Sequence, residues 1–186
     1  TEGITKVSRK DMMYAKEMGM TIKLLASSKR HNNHLHAIVS PALLGKEHPL
    51  YNVDDVFNAV FVRGNVLGDA MFYGSGAGKL PTASAVVADV VDEAKHLHRN
   101  IMTMWKSEKL ELLPIEDTSR RFFIRFSGTL QELKERVESC FGPGKAVQIP
   151  ELTDEFGYMT ESMTEGEYRR KAEAFPEIIH VIRAED

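Results

Sequence analysis

The sequence predicts an α+β chain: a mixed sheet with helices through about the first hundred residues, followed by a βαββαβ module. Three observations predict it. Strand-like stretches in the first half precede one long run of apolar residues at helical spacing. Two T-x-x-E signals, Thr129–Glu132 and Thr164–Glu167, mark helix starts between apolar strands in the second half. A chain of 186 residues that is 42% hydrophobic and 27% charged can bury a core, which excludes a disordered or low-complexity polypeptide.

The elements follow in order. A short extended piece is expected around Ile4–Val7. Ser8 and Asp11 form an imperfect capping box for a helix ending at Gly19, since Glu or Gln is the preferred fourth residue. Residues 21–27 and 34–40 read as strands joined by a polar turn over Lys29–Asn33, with Pro41 closing the second. Val56–Arg63 and Asp69–Tyr73 read as a hairpin around Gly64-Asn65. A glycine-rich loop leads into a helix starting near Pro81–Thr82, with Val87, Val90, Val91, Ala94, Leu97 and Ile101 on one face. The polar stretch from Lys106 to Ser119, with Pro114, reads as a connection. It divides the chain into residues 1–106, a linker 107–118 and residues 119–186.

In the second module Arg121–Phe126 alternates as a half-buried strand. Thr129 caps a helix with Leu130, Leu133, Val137 and Phe141 on its apolar face. Strands at Ala146–Ile149 and Phe156–Ser162, a helix from Thr164 to about Phe175, and a last strand at Ile178–Arg183 complete a split βαβ. That arrangement gives four antiparallel strands with two helices on one face, and leaves the other face or a sheet edge free for a partner.

Net charge is −3, split as +3 over residues 1–106 and −6 over 107–186, so nucleic acid is not an expected partner. No apolar run is long enough for a membrane span, and no signal peptide is recognised. A single cysteine, Cys140, excludes an internal disulfide and suits a reducing cytoplasm. The chain begins at Thr1 and is read as a piece of a larger protein.

The most informative motif is Phe72-Tyr-Gly-Ser-Gly-Ala-Gly-Lys-Leu-Pro-Thr. Gly74, Gly76 and Gly78 alternate after a strand and before a helix, where exposed N–H groups attract phosphate or carboxylate. A plain strand-to-helix turn is the competing reading, and no Rossmann unit is completed around it. Among the seven histidines, His31, His34 and His36 cluster, and His96 and His98 share the long helix. Two-residue spacing on a helix diverges by about 200°, so surface histidines rather than metal ligands are expected. Cys140 reads as an inert thiol on a helix face, the Met12–Met20 methionines as core, and Lys6 and Lys10 as a solvated helix start. His48 is a weak candidate for proton transfer beside a bend.

Gly3-Ile, Asp11, Ala15 and Met18-Gly-Met-Thr-Ile-Lys-Leu-Leu-Ala, then Val39-Ser-Pro, His48-Pro-Leu, Phe57-Asn-Ala-Val-Phe-Val and Gly64-Asn-Val-Leu-Gly-Asp-Ala-Met-Phe-Tyr-Gly, fall in the order and spacing of the bacterial homoserine dehydrogenases. Gly76-Ala-Gly-Lys-Leu-Pro-Thr-Ala-Ser-Ala-Val-Val-Ala-Asp extends the resemblance, which covers about residues 2–95. Residues 119–186 resemble the C-terminal ACT domain of many members.

The resemblance implies an NAD(P)-dependent oxidoreductase that interconverts aspartate 4-semialdehyde and homoserine on the route to threonine and methionine. It implies that residues 1–106 are the later part of a catalytic and dimerisation domain, in a homodimer. The family's glycine that contacts the nicotinamide nucleotide falls on Gly78, with Gly76 and Ala77 completing the loop. The family's catalytic lysine, substrate carboxylates, metal stretch and nucleotide-binding fingerprint lie upstream of the matched residues, so no catalytic or metal-binding residue is assigned here. Lys6 and Lys10 do not take the lysine's role. The ACT-like turn is Ser127-Gly128-Thr129, without the usual Asp-Pro, so effector binding is not expected to follow from the resemblance alone. Two alternatives are an amino-acid-sensing module without catalysis and a purely structural dimerisation piece.

Overall fold

A computed structural model describes residues 1–185 except 32, 33, 101, 103, 106 and 108, and the side chain of residue 31 is left aside. The α+β expectation holds. The described residues form two compact units, Thr1–Tyr51 with Leu110–Asp186, and Asn52–Lys109.

The first unit starts with a 3-10 turn over Ile4–Lys6 where an extended piece was expected. Helix α1 spans Arg9–Glu17, and its capping box is complete. Ser8 Oγ accepts from the Asp11 N–H at 3.4 Å and Asp11 Oδ2 accepts from the Ser8 N–H at 2.7 Å, so the shorter Asp side chain still reaches back. Strands β1 (Met20–His31) and β2 (His34–Gly45) pair antiparallel over their whole length. Residues 32 and 33 of the expected turn, and Ile101 of the expected helix face, lie outside the described residues.

Pro41 does not end β2. It pairs opposite Leu24, and the strand continues through Ala42, Leu43 and Leu44, all buried. Burying those three side chains offsets one missing ladder N–H.

The stretch expected to be a linker contains a two-residue strand β5 (Glu111–Leu112), parallel to His34–Leu35, and a 3-10 turn at Ile115–Asp117. Then come β6 (Ser119–Ser127), α3 (Leu130–Phe141), β7 (Gly144–Val147), β8 (Glu155–Thr160), the two-residue β9 (Met163–Thr164), α4 (Glu165–Ala172) and β10 (Ile178–Glu185). The βαββαβ rhythm is as read. Thr129 and Glu132 cap α3 reciprocally, whereas Thr164 accepts from the Glu167 N–H while the Glu167 carboxylate turns to Lys171 at 2.7 Å.

The sheet order β1-β2-β10-β6-β8-β7 keeps one of the two expected alternatives, an open edge at β7, and closes the other. Neither the second face of the split βαβ nor its β10 edge is free. β2 pairs parallel with β10, Arg183 opposite Ala42 and Glu185 opposite Leu44. On one face Phe122, Ile124 and Phe126 pack with Leu133, Val137, Phe141, Phe156, Tyr168 and Phe175. On the other, Phe123, Met159, Ile182 and Ala184 pack with Tyr14, Ala15 and Leu43. Gly157 makes the second packing possible: a Cβ there would lie 2.6 Å from Phe123 Cζ and 3.1 Å from Tyr14 Cδ1. The strand read as half-buried is therefore buried from Phe122 to Phe126. The run Phe122-Phe123-Ile124 is the pattern of a strand covered on both sides.

Contacts also divide the chain elsewhere than the boundaries at 106 and 119. Residues 1–51 share cores and sheet with 110–186, because the joining strand pairs are long-range and leave no local composition change.

Candidate functional site

The loop singled out in the sequence lies in the 52–109 unit. Strands β3 (Phe57–Gly64) and β4 (Gly68–Ser75) pair antiparallel from Phe57 opposite Ser75 to Gly64 opposite Gly68. Phe57 and Tyr73 stack with ring centres 4.9 Å apart, and Arg63 donates to Asp69 at 3.0 Å. β4 hands the chain directly to Gly76, Ala77 and Gly78, and α2 (Lys79–Lys95) begins at once. Residues 76 to 78 are all exposed.

Gly78 holds φ 123° and ψ 157°, a conformation that strains any residue with a Cβ. At Gly76 a Cβ would overlap the Asn58 side-chain amide, 2.9 Å from its Cγ. The Gly78 carbonyl accepts the first helical bond from Thr82 at 3.1 Å. No side chain caps α2, its first turn carries no acidic residue, and Pro81 has no N–H. The backbone N–H groups entering this helix are thus left to solvent or a ligand.

The unit around the loop has little interior. None of its described residues is buried, and Val60, Phe72, Val87 and Val90 are each at least 60% exposed. The helix ends at Lys95, so Leu97 falls beyond it.

Other residues singled out in the sequence find structural roles. His48 Nδ1 accepts from the Leu50 N–H at 3.1 Å in a bend, and Cys140 Sγ lies 3.8 Å from the Lys171 carbonyl. His34 is 3.9 Å from Glu111, and His96 Nδ1 is 2.9 Å from the Asp92 carbonyl. His36 departs from the surface expectation: it is buried, and burial, then Arg120 and Lys29, lower its pKa. Among the described residues no three His, Cys, Asp or Glu side chains are placed to hold a metal. No helix of the described residues is long and apolar enough to cross a membrane.

The sequence reading missed a buried charge cluster that joins α1 to the sheet. Arg125 donates to Asp11 at 2.8 Å, to Ser8 Oγ at 3.0 Å and to Glu155 at 2.9 and 3.1 Å, with Tyr14 beneath its guanidinium at 5.7 Å. Lys10 reaches Glu155 at 2.6 Å, and His180 Nδ1 lies 3.1 Å from Asp11. Burial would raise the Asp11 carboxyl, but His180, Arg125 and Ser8 outweigh it and hold the group well below its usual range. The available signal was Arg125, set between Ile124 and Phe126 in the apolar part of a strand.

Residues 1–91 match the family model described as homoserine dehydrogenase. Over 98% of the chain, the sequence is 36% identical to the homoserine dehydrogenase of Synechocystis sp., covering 48% of that protein. It is 46% identical over 100 residues to that of Corynebacterium glutamicum, 51% of this chain and 22% of the relative. The solved homoserine dehydrogenase of Thiobacillus denitrificans superposes with a TM-score of 0.82 at 30% identity, over 99% of this chain and 47% of that one. One of Staphylococcus aureus at pH 7.0 gives 0.74 at 25% identity, over 99% and 46%. The chain spans about half or less of the length of these relatives.

Proposed function

The chain belongs to the homoserine dehydrogenase family, and from that membership we propose that it forms one wall of the active site of a cytoplasmic, NAD(P)-dependent homoserine dehydrogenase. The reaction is the interconversion of aspartate 4-semialdehyde and homoserine. The carrying observation is the loop at residues 76–78: an exposed backbone with Gly78 at positive φ, an uncapped helix start, and no carboxylate in the first turn. These features fit a nicotinamide nucleotide laid against Gly76, Ala77 and Gly78, which offer amide donors and room for close approach. When bound, NAD(P) supplies the hydride chemistry, while the chain's own groups position it. No residue of this chain is assigned a catalytic or metal-binding role.

Two further parts belong to this reading. Residues 119–186 are an ACT-like module, supported by the strand order β10-β6-β8-β7 with α3 and α4 on one face. The protein is a homodimer, supported by the exposed apolar side chains of β3, β4 and α2, which a symmetry mate would cover.

Gly78→Val in an active homoserine dehydrogenase carrying this segment tests the loop. The expected result is a cofactor Kd raised at least ~10-fold (about 1.4 kcal/mol), with a loss of stability no larger than the strain at residue 78, about 1–3 kcal/mol. Unchanged affinity in a folded variant reduces the loop to a turn.

A further inference from the structure

A concavity with several basic side chains in its lining lies in the other unit, where the N-terminus of α1 meets β6 and the start of β10. It is a cleft of about 540 Å³ lined by Lys6, Ser8, Arg9, Lys10, Arg125, Ile179 and His180. No carboxylate lines it. We propose that this cleft binds a small, multiply charged anion, a phosphate or a polycarboxylate.

The argument is a local charge balance. Two carboxylates stand behind the cleft, and each is already claimed by two basic groups. Asp11 is held by Arg125 at 2.8 Å and faces His180 at 3.1 Å; Glu155 is held by Arg125 at 2.9 Å and Lys10 at 2.6 Å. Both carboxylates are almost fully buried, so they turn no negative charge outward. Arg125 and Lys10 balance them, and two cations remain. Lys6 and Arg9 are exposed and make no ion pair among the described residues. Their charges have only the cleft and solvent to face.

Donor geometry agrees with the charge. Arg125 is spent on the buried cluster and fixes the floor, because its side chain is only 4% exposed. The Lys10 ammonium has three protons and uses one on Glu155, so it can share an incoming oxygen. Lys6 and Arg9 then close on the ligand from the mouth, Arg9 with a fork suited to a carboxylate or phosphate pair of oxygens. The volume falls in the range of small-molecule sites, roughly 300–1,000 Å³. A bound anion would touch residues before position 11 and residues after 120, and so would bridge α1 to the sheet at its charged seam. This site shares no residue with the 76–78 loop, and the proposal does not depend on the cofactor reading.

Calorimetric titration of the 186-residue chain at low ionic strength tests it, with pyrophosphate in one arm and citrate in the other. The expected result is saturable 1:1 binding of at least one anion, weakening as salt is added. The tighter arm assigns the ligand to phosphates or to polycarboxylates. Lys6→Gln combined with Arg9→Gln should weaken that binding at least ~10-fold and leave the thermal midpoint of the unliganded chain unchanged, since neither side chain is buried or paired. Absence of saturable binding in both arms overturns the proposal, as does undiminished binding by the double variant. Binding lost in Gly78→Val but kept in the double variant would place the anion on the glycine loop and also overturn it.

Discussion

Replacing Arg125 with Met is the sharpest probe of how the first unit is held together. The substitution keeps an unbranched side chain in the seam and removes one guanidinium that makes hydrogen bonds to Asp11, Ser8 and Glu155. Asp11 and Glu155 are then left in place at 1% and 4% exposure. Breaking a buried ion pair from one side costs ~3–5 kcal/mol, because the remaining charge is stranded. Three partners survive: Lys10 on Glu155, and His180 and Ser8 on Asp11. They place the loss at the lower end, about 3 kcal/mol, or ~6–12 °C in midpoint for a chain of this size. Urea unfolding of the 186-residue chain measures it. The pH dependence supplies a second signature. Asp11 titrates below its usual range in the folded chain, so its stabilisation is present above about pH 4 and is lost as pH falls through the folded pKa. Without Arg125 the folded pKa rises towards the unfolded value, and the deficit of the variant should shrink as pH falls below about 4. A cost under ~1 kcal/mol, the range of an exposed pair, or a deficit that grows in acid, would refute the reasoning.

Three other outcomes are expected. A polypeptide of these 186 residues should form no NAD(P)H from homoserine, since one exposed loop cannot orient both substrate and cofactor; homoserine-dependent absorbance at 340 nm above a heat-inactivated control would end that view. The chain should sediment as a dimer at micromolar concentration, burying on the order of 2,000 Å². Val60→Glu with Phe72→Glu, directly opposed across the hairpin and both exposed, should give monomers, whereas a monomeric parent chain removes the premise. His36 is buried with a pKa below 6.5, so the unfolded chain takes up its proton first. Its stabilisation holds above about pH 6.5 and is lost as pH falls through the folded pKa; His36→Leu should flatten the stability slope between pH 7 and 5, and parallel slopes would contradict this.

Local chemistry was the legible part of the fold. Ser8 with Asp11 and Thr129 with Glu132 announced two helix starts, and Gly64-Asn65 announced a hairpin, because caps and turns are made by residues close in sequence. The sheet that unites residues 1–51 with 110–186 was not legible. Its joins, β2 with β10 and β2 with β5, are parallel pairs between distant segments, and nothing in either strand names its partner. Pro41 misled because its effect was judged without the burial of Ala42–Leu44. In the site, Gly76 and Gly78 were visible as glycines in a strand-to-helix loop. The Arg125 cluster was hidden because Asp11, Arg125, Glu155 and His180 are scattered over 170 residues, and only folding collects them.

The boundary of the family match and the boundary of the physical unit do not coincide, and this has a mechanical consequence. The match runs through residues 1–91, yet residues 1–51 are built into the same sheet and cores as 110–186. If the C-terminal module were tethered only by a linker, events on it would reach the first fifty residues through a flexible joint. Instead Tyr14 and Ala15 are packed on Phe123, Ile182 and Met159, and Asp11 is locked to Arg125. A close-packed core with a buried ion cluster transmits displacement rather than absorbing it. Any ligand gripping Lys6 and Arg9 therefore acts on α1 and on β6 together. The residues of the 52–109 unit, with no buried side chain among those described, have no such interior to set their geometry. Their loop takes its stiffness from backbone chemistry, from the Gly78 conformation and the hairpin ladder before it. Substitutions there should change what is bound more than whether the chain folds, and substitutions at the Arg125 seam should do the reverse.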